Sequence, residues 1–146
     1  NTPMLKGISP LLSPDLLKTI AEMGHGDELV LGDGNFPAAS MNPRSIRCDG
    51  HGVPDVLDAI LQLFPLDSFV QTPVTLMAVV PGTMAGEPPI WEEFRSVIAR
   101  HEPDAAIGFI DRFAFYERSR KAYATVQTGE GALYACVIIK KGVIAG

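Results

Sequence analysis

His25 lies between two glycines in Gly24-His25-Gly26-Asp27-Glu28. Neither neighbour has a side chain to obstruct a ligand, and an imidazole with an unperturbed pKa of about 6.5 suits proton transfer at neutral pH. The alternative is an ordinary loop histidine, with Asp27 either orienting the ring or capping the following turn. Asp33 follows the apolar run that ends in Leu31-Gly32. Ligands bind at the C-terminal ends of strands in α/β sheets, and a carboxylate there can accept hydrogen bonds from sugar hydroxyls. Equally, Asp33 and Asn35 can shape a turn. Gly32-Asp33-Gly34 runs on into Phe36-Pro37 without the third glycine of a dinucleotide fingerprint, and no Walker pattern occurs. The third group is Arg112-Phe113-Ala114-Phe115-Tyr116-Glu117-Arg118. Dense aromatics beside a phenol and a guanidinium suit a carbohydrate site, and they also suit the core face of a helix.

Other chemistries fit less well. His25, His51 and His101 follow no HExxH or comparable spacing, so no metal is expected. Cys136 sits in a strand-like apolar run, where a buried inert thiol is a better reading than a nucleophile paired with His25. The net charge of −5 over 146 residues argues against nucleic acid, which requires clustered Lys and Arg. The one basic stretch, 118–121, reads as a solvated helix face. Two widely spaced cysteines make no disulfide framework and point to a reducing compartment, the cytoplasm. No apolar run approaches the roughly 20 residues that span a bilayer, and no secretory signal pattern opens the chain. Met4 is the expected natural start, with residues 1–3 a cloning remnant.

The elements that must position these groups alternate. Ser13-Pro14-Asp15 is a helix start: a hydroxyl N-cap, proline in the first turn and an acid favoured by the dipole. Leu16, Leu17, Ile20 and Met23 continue at helical spacing to a stop at Gly24, which leaves His25 in a loop. Short strands are expected at 28–31 and 45–47, a helix from Pro54 to Pro65, and a strand at 74–80. A Gly/Pro-rich loop over 82–89 precedes a helix marked by Ile90, Trp91, Phe94, Val97 and Ile98. A strand at 105–110, a helix at 112–123, and strands at 124–127 and 132–139 joined across 128–131 complete the chain. The pattern predicts a single layered α/β domain over 4–146, with a central mixed sheet flanked by helices.

In their order these segments resemble the fucose mutarotase and ribose pyranase family. The pieces are S-P-D-L-L from Ser13, M-G-H-G-D-E from Met23, N-F-P-A from Asn35, I-R-x-D-G from Ile46, P-L-D-S from Pro65, R-F-x-F-Y-E-R from Arg112, T-G-E from Thr128 and K-K-G-V from Lys140. G-H-G-D-E and F-Y-E-R are similar to the fucose branch, since the ribose branch usually shows G-H-T-D and lacks F-Y-E-R. The resemblance implies that His25 is the general acid. It implies that Asp33, Asp67, Met77, Arg112, Tyr116, Tyr134 and Cys136 contact substrate, with Tyr116 also a catalytic candidate. At Cys136 the chain departs from the family, where asparagine is usual. The resemblance further implies a free monosaccharide substrate, L-fucose first, no cofactor, and a homo-oligomer, a decamer of two stacked pentameric rings with sites at subunit contacts. A ribose pyranase and a non-catalytic sugar-binding protein are the alternatives.

Overall fold

A computed structural model describes residues 4–145. The expectation about residues 1–3 lies outside the described residues. Helix α1 (Pro14–Glu22) begins as the sequence predicts, with the Ser13 hydroxyl accepting the Leu16 N–H at 3.2 Å. Leu16 and Ile20 turn inward, and burying such side chains contributes about 1.5–3 kcal/mol each. The remaining elements are β1 (Glu28–Gly32), α2 (Ala38–Met41), β2 (Ser45–Cys48), α3 (Val53–Leu61), β3 (Val74–Met77), α4 (Ile90–His101), β4 (Ile107–Ile110), α5 (Arg112–Lys121), β5 (Ala124–Thr128) and β6 (Val137–Lys140).

The six strands form one mixed sheet in the order β2-β5-β1-β6-β3-β4. Neighbours are parallel except at β6, which runs antiparallel to both β1 and β3. Central strands buried on both faces must be apolar throughout. Leu29-Val30-Leu31 and Val137-Ile138-Ile139 are fully buried accordingly. Leu29, Leu31, Val137 and Ile139 pack with side chains of α1, α3 and α4 on one face. Val30 and Ile138 pack with Phe36, Met77, Phe115 and Cys136 on the other, where α2 and α5 lie.

Several expectations are corrected. The strand expected at 132–139 starts only at Val137, because Tyr134 has φ 57° and a left-handed residue cannot continue a pleat. β5 and β6 follow one another in the chain, as expected, and β1 lies between them in the sheet. Helix α2 was not expected, as four residues carry no readable period. β3 stops at Met77 rather than residue 80, β4 starts at Ile107 rather than 105, and α5 stops at Lys121 rather than 123. Helix α3 spans Val53–Leu61, short of Pro65. The basic stretch is only partly a solvated face: Arg118 bridges to Glu28 and Thr75, and Ser119 is fully buried.

Candidate active site: two groups at opposite ends of the sheet

His25 sits in the turn between α1 and β1. Gly26 takes φ +90°, a conformation that L side chains rarely adopt. The Asp27 carboxylate accepts the Gly24 N–H at 2.7 Å, so Asp27 shapes this turn and does not orient the ring. That task falls to Asp67: its Oδ1 lies 3.1 Å from His25 Nε2. Asp67 is buried, whereas the ring keeps 44% of its surface exposed and packs against Phe69, with ring centroids 5.3 Å apart. The Phe69 N–H, bonded to the same Oδ1 at 3.0 Å, leads in holding the Asp67 carboxyl below its ordinary range. The His25 ring and the Lys140 charge add to this, against the opposing effect of burial. An ionised Asp67 accepts the Nε2 proton and so fixes the tautomer, leaving Nδ1 to exchange a proton with a ligand.

The end of β6 braces both partners. The Lys141 C=O accepts the Gly26 N–H at 2.8 Å, and the Lys140 C=O accepts the Asp67 N–H at 3.0 Å. Lys141 Nζ donates to the carbonyls of Ile20 and Met23, both at 2.6 Å, placing a cation at the negative end of α1. A groove of about 600 Å³ opens beside His25, lined by Leu17, Ile20, Leu63, Phe64, Val143 and Ile144 among others. Its apolar walls do not suit a polyhydroxylated ligand.

The other sequence-predicted residues gather at the far end. Asp33 leaves the C-terminal end of β1, where its Oδ1 accepts the Asn35 N–H at 3.0 Å. Gly32 is required there, because a Cβ would overlap the Phe36 ring. Cys136 and Met77 each lie one residue beyond the Leu76–Val137 pairing of β3 with β6. Burial, and then the Asp33 charge, push the Cys136 thiol up to about 12. It is therefore neutral near pH 7, which excludes a resting thiolate nucleophile. Arg112 opens α5 just past β4, and Tyr116, one turn on, packs its ring 6.1 Å from that of Phe36. The Tyr134 hydroxyl accepts the Val80 N–H at 3.1 Å and lies 2.7 Å from Thr83 Oγ1. The Thr83 bond, the Val80 N–H and the Arg112 charge lower its phenol from the ordinary value, in that order of importance. In the aromatic segment both readings hold in part: Phe115 is fully buried core, while Phe113 is largely exposed.

The structure thus brings the predicted residues together in two groups rather than one. His25 and Asp67 lie before β1 and beside the end of β6, and the others lie after β1. From Glu28 to Gly32 the strand spans about 13 Å, more than one monosaccharide can bridge. Sequence reasoning missed the supporting residues Glu130, Lys141, Thr83 and Trp91. The T-G-E and K-K-G-V segments carried a signal for two of them, without a chemistry to attach to it.

A profile of the RbsD / FucU transport protein family matches residues 6–144. The chain belongs to this family. It is 49% identical over 146 residues to the fucose mutarotase of Homo sapiens, covering 97% of this chain and 95% of that protein. The crystal structure of the fucose mutarotase from Streptococcus pneumoniae in complex with L-fucose superposes with a TM-score of 0.90 at 51% identity, covering 97% of this chain and all of that one. FucU from Bifidobacterium longum superposes with a TM-score of 0.91 at 47% identity, over 96% of this chain and all of that one. The mixed sheet and its flanking helices are therefore the fold of this family. Among the described residues, no helix is long and apolar enough to cross a membrane.

Proposed function

We propose that this chain is an L-fucose mutarotase, an isomerase that interconverts the α and β anomers of the free sugar. The observation that carries the proposal is near-half identity along the whole chain to fucose mutarotases, one of them solved with L-fucose bound. The reaction breaks the C1–O5 bond as a proton reaches O5 and another leaves the C1 hydroxyl. C1 becomes an aldehyde, rotates about C1–C2, and is attacked by O5 on its other face as both protons return. Nothing is oxidised or reduced, so no cofactor is called for.

His25, held by ionised Asp67, moves one of these protons through Nδ1. We assign the other to Tyr116, ahead of Asp33 and a bound water. Asp33, Arg112 and Tyr134 hold the remaining hydroxyls, leaving C1 and O5 free to move. Met77 and Cys136 back the pocket. Asp67, expected to touch the sugar, is given the orienting role because it is buried and its Oδ1 already bonds His25 and the Phe69 N–H.

Separation of the two groups supports a site completed between chains. The His25 end of one copy would meet the Asp33 end of the next. Both ends carry exposed apolar side chains that such a contact would cover: Phe69, Val143 and Ile144 at one, Phe113 and Leu133 at the other. A head-to-tail contact repeats until it closes on itself, which suits pentameric rings and, stacked in pairs, a decamer. Two free buried cysteines are in keeping with a cytoplasmic setting.

Saturation-transfer NMR on free sugars tests the activity. L-Fucose should show enzyme-dependent exchange between its anomers. Faster exchange of ribose ring forms with none for fucose would point to a pyranase, and binding without exchange to a sugar-binding protein.

Cys136 gives a separate test. Cys136→Asn should retain activity and keep or tighten fucose binding, since a carboxamide hydrogen-bonds hydroxyls better than a thiol does. A thiol reagent at pH 8 should leave the native Cys136 unlabelled. Stoichiometric labelling, or complete loss of activity in a folded and assembled Asn variant, would refute this view of the residue.

A further inference from the structure

The T-G-E segment has no part in the chemistry above, yet Glu130 ties its own loop to two distant pieces of chain, at Val53 and Gly34. It lies half-buried in the connection that leads from β5 towards Tyr134. Its Oε1 accepts the Val53 N–H at 3.0 Å, an amide of the first turn of α3 that the N-cap, Gly52, has no side chain to satisfy. Its Oε2 accepts the Ala132 N–H at 3.1 Å. Its carbonyl accepts the Gly34 N–H at 2.8 Å. Its own N–H donates to Thr128 Oγ1 at 3.2 Å, and that hydroxyl donates to the Gly32 carbonyl at 2.7 Å.

Glycines clear the space for this arrangement. A Cβ on Gly52 would stand 2.7 Å from Glu130 Oε1, and one on Gly34 would stand 3.1 Å from the Glu130 carbonyl oxygen. A carboxylate at a helix N-terminus is favoured by the dipole, and its bonds to N–H groups are the strong, charge-assisted kind. The anchor is therefore rigid. Asp33 immediately precedes Gly34, and Tyr134 lies two residues past Ala132.

We infer that Glu130 is a positioning residue for sugar binding: its carboxylate, seated on the N-terminus of α3, fixes the Asp33 and Tyr134 loops relative to each other. The inference rests on the L-fucose mutarotase reading. Glu130 acts on groups that hold hydroxyls, while His25 stands at the other end of the sheet. Its loss should therefore appear in affinity and spare the proton-transfer step. The protein carries its own reporter, because Trp91, the single tryptophan, donates its Nε1–H to the Tyr134 carbonyl at 2.9 Å.

Glu130→Gln keeps the shape and one acceptor, and replaces the other by an amide that cannot accept the Ala132 N–H. The half-saturating L-fucose concentration should rise about tenfold, the factor one charge-assisted hydrogen bond carries. The maximal exchange rate should stay within about threefold of wild type, the pattern of lost uniform binding. Trp91 emission should change before any sugar is added. Gly52→Ala, which displaces the carboxylate without altering it, should move the same readouts in the same direction. It decides the matter if the Gln variant does not assemble. Wild-type half-saturation in folded, assembled variants overturns the inference, as does a fall in maximal rate with affinity unchanged. Wild-type protein measured alongside separates the two claims. If wild type exchanges no fucose, the functional reading fails; if it does and the variants match it, only the role of Glu130 fails.

Discussion

His25→Gln should lower fucose anomer exchange by about 100- to 10,000-fold, the usual contribution of a general acid–base group. Glutamine retains hydrogen bonding at this position and loses the ability to cycle a proton. The ring is almost half exposed and contributes little packing, so the fold and the oligomer should be unchanged. Free sugars mutarotate spontaneously, so the residual rate must be read above that background. The depressed Asp67 carboxyl sharpens the reading of pH. Asp67 stays ionised below the ordinary carboxylate range, so its hold on the ring should persist on acidification and be lost only where Asp67 itself takes up a proton. Wild-type rates in an assembled Gln variant would make His25 a structural residue and turn the search for the donor to Tyr116.

The second large effect is one of complementation. His25→Ala and Tyr116→Phe, which remove the two proton-transfer groups from opposite ends of the sheet, should each be inactive alone. Unfolded together in equal amounts and refolded, they should regain about one quarter of wild-type activity. A head-to-tail contact draws an intact His25 end from one chain with probability one half and an intact Tyr116 end from the next with the same probability. A site built within one chain would recover nothing, because every chain carries one damaged half. Light scattering on the same samples checks assembly, and a stable monomer at working concentration would leave the halves apart and sink the shared-site reading.

What the sequence makes legible is local. The Ser13 cap, the stripe through Leu16 and Ile20, and the loop at His25 rest on contacts within a few residues, and all are present. Strand order is not local. The turn-like Thr128-Gly129-Glu130-Gly131 invites a hairpin, yet its polar groups go to Val53 and Gly34 instead. A single residue, Tyr134, bends into the left-handed region and shortens the strand that follows. The distance between the predicted site residues is not local either. His25 and Asp33 lie only eight positions apart in the chain. The intervening residues are extended, so proximity in sequence becomes distance in space. The pairing of Asp67 with His25, 42 positions away in the chain, is likewise a tertiary matter.

The place of β6 in the sheet bears on how the protein is made. Last of the strands in sequence, it is central in space, hydrogen-bonded to β1 on one side and β3 on the other. During synthesis β2, β5 and β1 can gather as one block and β3 with β4 as another. Between them stays an open slot with two unpaired, apolar edges, the kind of surface that recruits strands from other chains. Only the arrival of Val137-Ile138-Ile139 fills it. Sheet closure therefore depends on contacts between distant parts of the chain, which are slow to form. Interrupted chains lacking this strand would be the species that chaperones must hold.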